Sequence, residues 1–98
     1  MTIEIKKQTN ETTSEVVGRL DTITAPVLEK TINENLEDLE SLILDLKGLE
    51  YISSAGLRVL LAAQKKMKMV GSMKLINVCD DVMEIFEMTG FADIFVIE

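Results

Sequence analysis

The chain has no histidine, no tryptophan, one proline and one cysteine, Cys79, among its 98 residues. Without histidine, neither a Ser-His-Asp nor a Cys-His nucleophile can be assembled, and a phosphohistidine relay has no acceptor. A single cysteine allows no internal disulfide and leaves a tetrahedral zinc site short of ligands, which suits a reducing cytosol. There is no P-loop and no G-x-S-x-G elbow, so the chain is read as a protein without catalytic residues, cofactor or metal, and not as an enzyme. The opening Met1-Thr2-Ile3-Glu4-Ile5-Lys6 lacks the apolar run of a signal peptide. No stretch approaches the ~20 apolar residues that span a bilayer, so a cytoplasmic protein without membrane insertion is expected. Ten Lys and Arg against seventeen Asp and Glu give a net charge of -7, a field that opposes direct binding to nucleic acid or an anionic surface.

What remains is the composition of an ordinary globular domain. Hydrophobic residues make up 47% and aromatics only 4%, so the core is expected from Ile, Leu, Val and Met. The length suits one domain spanning residues 1–98. Ile3 and Ile5 alternate with charge, residues 8–14 are polar, and Glu15-Val16-Val17-Gly18-Arg19-Leu20 follows, which predicts a β-hairpin. Asn10-Glu11-Thr12 fits the N-glycosylation pattern, read here as a chance match in the hairpin turn. Thr24-Ala25-Pro26 followed by Val27, Leu28, Ile32 and Leu36 predicts a helix to about Glu37. Leu42-Ile43-Leu44-Asp45-Leu46, ended by Lys47-Gly48, predicts a strand buried on both faces.

A second helix is expected after Ser53-Ser54, with Leu57, Leu60, Leu61 and Met67 on its apolar stripe and an end near Gly71. Lys65, Lys66 and Lys68 complement the dipole of its last turns. Residues 73–78 read as a strand, and Asp80 or Asp81 as the cap of a third helix carrying Val82, Ile85, Phe86 and Met88 and closed by Gly90. Residues 94–97 read as a final strand. The predicted order is ββαβαβαβ, an α/β fold whose alternation argues parallel pairing while the opening hairpin makes the sheet mixed. Met67, Met69, Met73, Met83 and Met88 are read as core filler, and Cys79 as a small residue at a strand end.

The segment that asks for a chemical explanation is Ser53-Ser54-Ala55-Gly56-Leu57. Either serine can cap the helix, but a capping box requires Glu or Gln three residues on, and Gly56 and Leu57 stand there. Gly56 in the first turn costs up to ~1 kcal/mol relative to Ala, and its missing side chain leaves the backbone open to close approach. Helix N-termini also favour phosphate.

Tyr51-Ile52-Ser53-Ser54-Ala55-Gly56-Leu57-Arg58-Val59-Leu60-Leu61 resembles the signature of STAS domains of the anti-sigma factor antagonist (anti-anti-sigma factor) family. Gly18-Arg19-Leu20-Asp21 with Thr24-Ala25, the strand at residues 42–46, and Phe86-Glu87-Met88-Thr89-Gly90-Phe91 are similar to further family segments. The resemblance covers nearly the whole chain. It implies the STAS fold and a partner switch used in transcription regulation. In such proteins the unphosphorylated form binds an anti-sigma factor, often itself a serine kinase, and so releases a sigma factor; phosphorylation blocks binding, and a serine phosphatase resets it. Ser54 matches the phosphorylated serine, with Ser53, which stands where relatives often carry Asp, as second choice. Asp21, Ser53, Ser54, Gly56 and Arg58 form the implied partner-binding set. The simpler readings are a helix cap for Asp21 and a solvated charge for Arg58. The competing function is a structural STAS subunit of a membrane transport or other signalling complex, in which Ser54 is only a cap. A receiver domain phosphorylated on Asp45 lacks the acidic pair that holds Mg²⁺.

Overall fold

The structure, a computed structural model, describes residues 2–8, 11–35 and 40–98, with side chains described from Thr13 onward except Asn35. Two strands open the chain, β1 (Thr2–Gln8) and β2 (Glu11–Leu20), followed by α1 (Ala25–Asn35), β3 (Ser41–Ile52), α2 (Ser54–Val70), β4 (Ser72–Ile76) and α3 (Asp80–Thr89). Among the described residues the sheet has the order β1-β2-β3-β4. β2–β3 and β3–β4 pair in parallel, while β1 lies antiparallel against β2 at the sheet's outer edge. A helix between successive strands returns the chain to the same end of the sheet, which dictates parallel pairing. α2 packs on β3 and β4, α1 packs on α2, and α3 packs on β3.

The expected architecture, a mixed sheet with an N-terminal hairpin followed by alternating helices and strands, needs correction in extent, because antiparallel pairing is confined to the β1 edge. The part that carries the helices is parallel throughout, and the turn a hairpin needs, at residues 9–10, lies outside the described residues, as does Asn10 of the Asn10-Glu11-Thr12 motif. The fifth strand does not form. Phe91–Asp93 makes a 3-10 turn, and residues 94–97 contribute only an isolated bridge from Ile97 to Leu75. The reason is aromatic packing: Phe95 N–H donates to Phe91 O, the helical turn buries Phe95, and its ring meets those of Phe86 and Phe91 edge to face at 5.5 and 5.8 Å. An alternating apolar pattern is obeyed here as an i, i+4 contact instead.

Smaller differences have equally local causes. β2 starts at Glu11 and absorbs most of the polar stretch read as a turn; Ser14 is buried within it. The predicted end of α1 at Glu37 lies outside the described residues. β3 runs through Lys47-Gly48 to Ile52 because the register against β2 shifts between Glu15 and Val17, a bulge that accommodates the extra residues. A Cβ on Gly48 would sit 2.9 Å from Val17 Cγ2, so the bulge closes only around glycine. Upstream, Leu42, Leu44 and Leu46 are buried; beyond the bulge the buried positions become Leu49 and Ile52. Leu57, Val59, Leu60, Ala63 and Met67 of α2 complete this core, and each fully buried Leu is worth ~1.5–3 kcal/mol. Neither Asp80 nor Asp81 caps α3: Cys79 holds the N-cap position without a side-chain capping bond, its thiol donating instead to Leu49 O, and both aspartates lie in the first turn. Gly90 ends α3 in the left-handed region at φ 81°, as expected. Met69 and Met88 are 87% and 79% exposed and fill no core gap.

Candidate functional site

Parallel neighbours end at the same edge of a sheet, and β2 and β3 stop in register at Leu20 and Ile52. Their exits therefore lie side by side: Ser53 N–H donates to Leu20 O at 2.8 Å, holding the mouth of α2 against the turn that leads into α1. The carboxyl ends of parallel strands, with helix N-termini beside them, are where open α/β sheets present their binding groups.

The two serines divide the work. Ser53 is the N-cap, in extended conformation at φ -96° and ψ 175°, and its Oγ accepts from Gly56 N–H at 3.3 Å, a long bond. Ser54 is the first residue of the helix and exposed, and among the described residues its hydroxyl has no hydrogen-bond partner. The Leu57 N–H bonds Ser53 O at 2.9 Å, so the free donors at this helix start are the backbone N–H groups of Ser54 and Ala55.

Gly56 requires a correction. It is buried, and a Cβ there would approach Leu20 Cγ at 2.7 Å and Ile52 Cγ1 at 2.8 Å. The glycine lets α2 press onto the ends of β2 and β3; it faces the protein's own core and offers no backbone to another molecule. Arg58 is exposed one turn beyond Ser54, at the i, i+4 spacing that puts both on one side of the helix.

Asp21 is a structural cap and a surface carboxylate at once. Its Oδ1 accepts from the Ile23 and Thr24 N–H groups, both at 3.0 Å. The Thr24 hydroxyl accepts from Asp21 N–H at 2.8 Å and lies 2.7 Å from Arg19 O, to which it donates. The Thr24 N–H is the main reason that the Asp21 carboxyl is held below its ordinary value; the Ile23 N–H, the Thr24 hydroxyl and the Arg19 charge act in the same sense against a desolvation that opposes them. Its second oxygen has no partner among the described residues.

Sequence reasoning missed a neighbour of this rim. Arg19 and Tyr51 are register partners on β2 and β3, and the guanidinium carbon lies 4.3 Å from the ring centroid. Ile23, 82% exposed, stands in the adjoining turn, and Val27 is half exposed on the first turn of α1. Both residues of the cation–π pair fall within the segments that carry the resemblance, but their contact depends on a register that two bulges shift. The rim thus combines an unengaged hydroxyl, a carboxylate, two arginines and two exposed aliphatic side chains. No group of three acidic, Cys or His residues placed to hold a metal occurs among the described residues, and no described helix is long and apolar enough to cross a membrane.

A model of the STAS domain matches residues 2–98. An anti-sigma-B factor antagonist of Bacillus subtilis (strain 168) is 31% identical over 93 residues, covering 94% of this chain and 85% of that protein. The anti-sigma-B factor antagonist of Listeria monocytogenes serovar 1/2a is 32% identical over 102 aligned positions, covering 100% of this chain and 89% of that protein. Among solved structures, that of an anti-sigma factor antagonist from Mycobacterium paratuberculosis has a TM-score of 0.88 at 25% identity, covering 98% of this chain and 83% of that one.

Proposed function

Because the chain belongs to the STAS domain family, among its anti-sigma factor antagonists, we propose that it is an anti-anti-sigma factor switched at Ser54. The unphosphorylated protein binds an anti-sigma factor through the rim at the ends of β2 and β3 and so frees a sigma factor. The anti-sigma factor, acting as a serine kinase, transfers phosphate to the Ser54 hydroxyl, and a serine phosphatase removes it. The observation that carries the choice of residue is the division between the serines: the Ser53 oxygen is engaged with Gly56 N–H, whereas the Ser54 hydroxyl is exposed and unengaged.

The fold tolerates the modification. A phosphate brings ~1.5 to 2 negative charges to the positive end of the helix dipole, beside the unengaged N–H groups of Ser54 and Ala55. The effect falls on the partner. An acidic group docked ~4 Å from the phosphate raises the energy of the complex by about 4 kcal/mol per unit charge pair at an effective dielectric near 20, roughly three decades in affinity. Asp21 on the same rim carries one of the groups the partner has to match, and Arg58 a charge of the opposite sign.

The test is phosphate mapping. Incubated with ATP and its cognate kinase, the protein and its Ser53→Ala variant are expected to carry one phosphate on Ser54 by mass spectrometry, and Ser54→Ala none. Phosphate retained on Ser54→Ala refutes the assignment.

A further inference from the structure

Away from the serine rim, α2 and β4 line a groove of about 440 Å³, within the roughly 300–1,000 Å³ range of ligand pockets. Leu61, Gln64, Lys65 and Lys68, one face of α2 at helical spacing, form one wall, and Met73 of β4 with Ile94 and Val96 form the other. Ile94 and Val96 are 44% and 52% exposed.

Several features of this groove ask for a strand. Among the described residues β4 is the last strand of the sheet, and its outer edge is paired only at Leu75, whose N–H donates to Val96 O and whose O accepts from Glu98 N–H. Backbone groups two residues apart in a strand point the same way, so the N–H and C=O of Met73 also face outward, toward the groove. Val96 is too far along to meet them, because the chain before it is in the turn that buries Phe95. The Gln64 side-chain oxygen is buried, and no described group donates to it. An occupant with backbone N–H and C=O groups pairs with Met73, and reaches the Gln64 oxygen only once that amide rotates toward the groove.

Charge selects the occupant. Lys66 bonds Asn33 and Lys74 pairs with Glu98, but among the described residues Lys65 and Lys68 have no polar partner. A short acidic segment meets these two cations at close range against the chain's overall -7, whereas a second copy brings a further -7 to the same field. We propose that this groove docks an extended acidic segment of a partner protein, which adds its backbone beside Met73 and sets its carboxylates against Lys65 and Lys68. Strand addition supplies affinity through the main chain, and the lysines and apolar floor supply selectivity. This surface is independent of the Ser54 reading.

The test titrates the ¹⁵N-labelled full chain with an acetylated, amidated hexapeptide alternating Val and Glu, following amide chemical shifts. Saturable shifts centred on Leu61, Gln64, Met73 and Val96 are expected. The Lys65→Gln/Lys68→Gln variant, which leaves the core untouched, is expected to bind about tenfold more weakly, and the alternating Val and Lys peptide as weakly as that or less. The proposal is overturned by equal binding of the two peptides, by no shift up to roughly 5 mM peptide, or by groove shifts that grow with protein concentration alone, the signature of a second copy.

Discussion

Ser53 and Ser54 are adjacent and chemically identical, yet the helix start gives them different tasks. Removing the cap oxygen in Ser53→Ala is expected to lower stability by ~0.5–1 kcal/mol, the weak end of the capping range because the bond to Gly56 N–H is long at 3.3 Å. Ser54→Ala is expected to leave the denaturation midpoint within about 0.5 kcal/mol of the parent, since an exposed, unengaged hydroxyl is removed. A urea series on both variants separates the two roles. Asp21 makes a pH prediction. Its folded carboxyl lies below the ordinary 3.8, so the unfolded chain binds protons first as pH falls. The turn's contribution is therefore complete above about pH 4 and lost as pH drops through the folded value. Stability measured between pH 6 and 2.5 is expected to fall less steeply for Asp21→Asn than for the parent; equal slopes contradict the turn geometry. The identities of Ser54 and Asp21 as candidates were legible in the sequence, because segment order carries them. The Arg19–Tyr51 contact was not, because a cross-strand pair exists only once the register is known.

At the scale of elements, α2 was the most legible, from Ser53 to Gly71, since its apolar spacing and both ends are written in local sequence. The same locality misled elsewhere. Lys47-Gly48 carries the mark of a turn but sits in a bulge, where the missing side chain makes room for Val17. Gly56 read as an opening for a partner and is instead the contact that seats α2 on Leu20 and Ile52. Gly56→Ala places a methyl 2.7 Å from Leu20 Cγ, and overpacking at that site is expected to cost ~1–3 kcal/mol. If thermal denaturation shows Gly56→Ala as stable as the parent, the seating described for α2 is wrong. Residues 94–97 failed as a strand because the Phe91–Phe95 turn, favoured by three edge-to-face rings, competes with the ladder for the same backbone.

At the scale of the molecule, a rigid sheet brings two turns distant in sequence to one edge and leaves a hydroxyl there. Nothing in that geometry requires the domain to move when the hydroxyl is esterified: the new charge meets a helix N-terminus, while the surface facing the partner gains ~1.5 to 2 negative charges. Loss of binding is therefore separable from loss of folding. The most direct measurement is the affinity of the cognate anti-sigma factor for the protein stoichiometrically phosphorylated on Ser54, compared with the unmodified protein, with the thermal transition of each recorded in parallel. Affinity lower by about two to three decades with an unchanged transition is the expected result. Equal affinities, or a loss of binding accompanied by loss of the folding transition, would contradict a switch that acts on the partner alone.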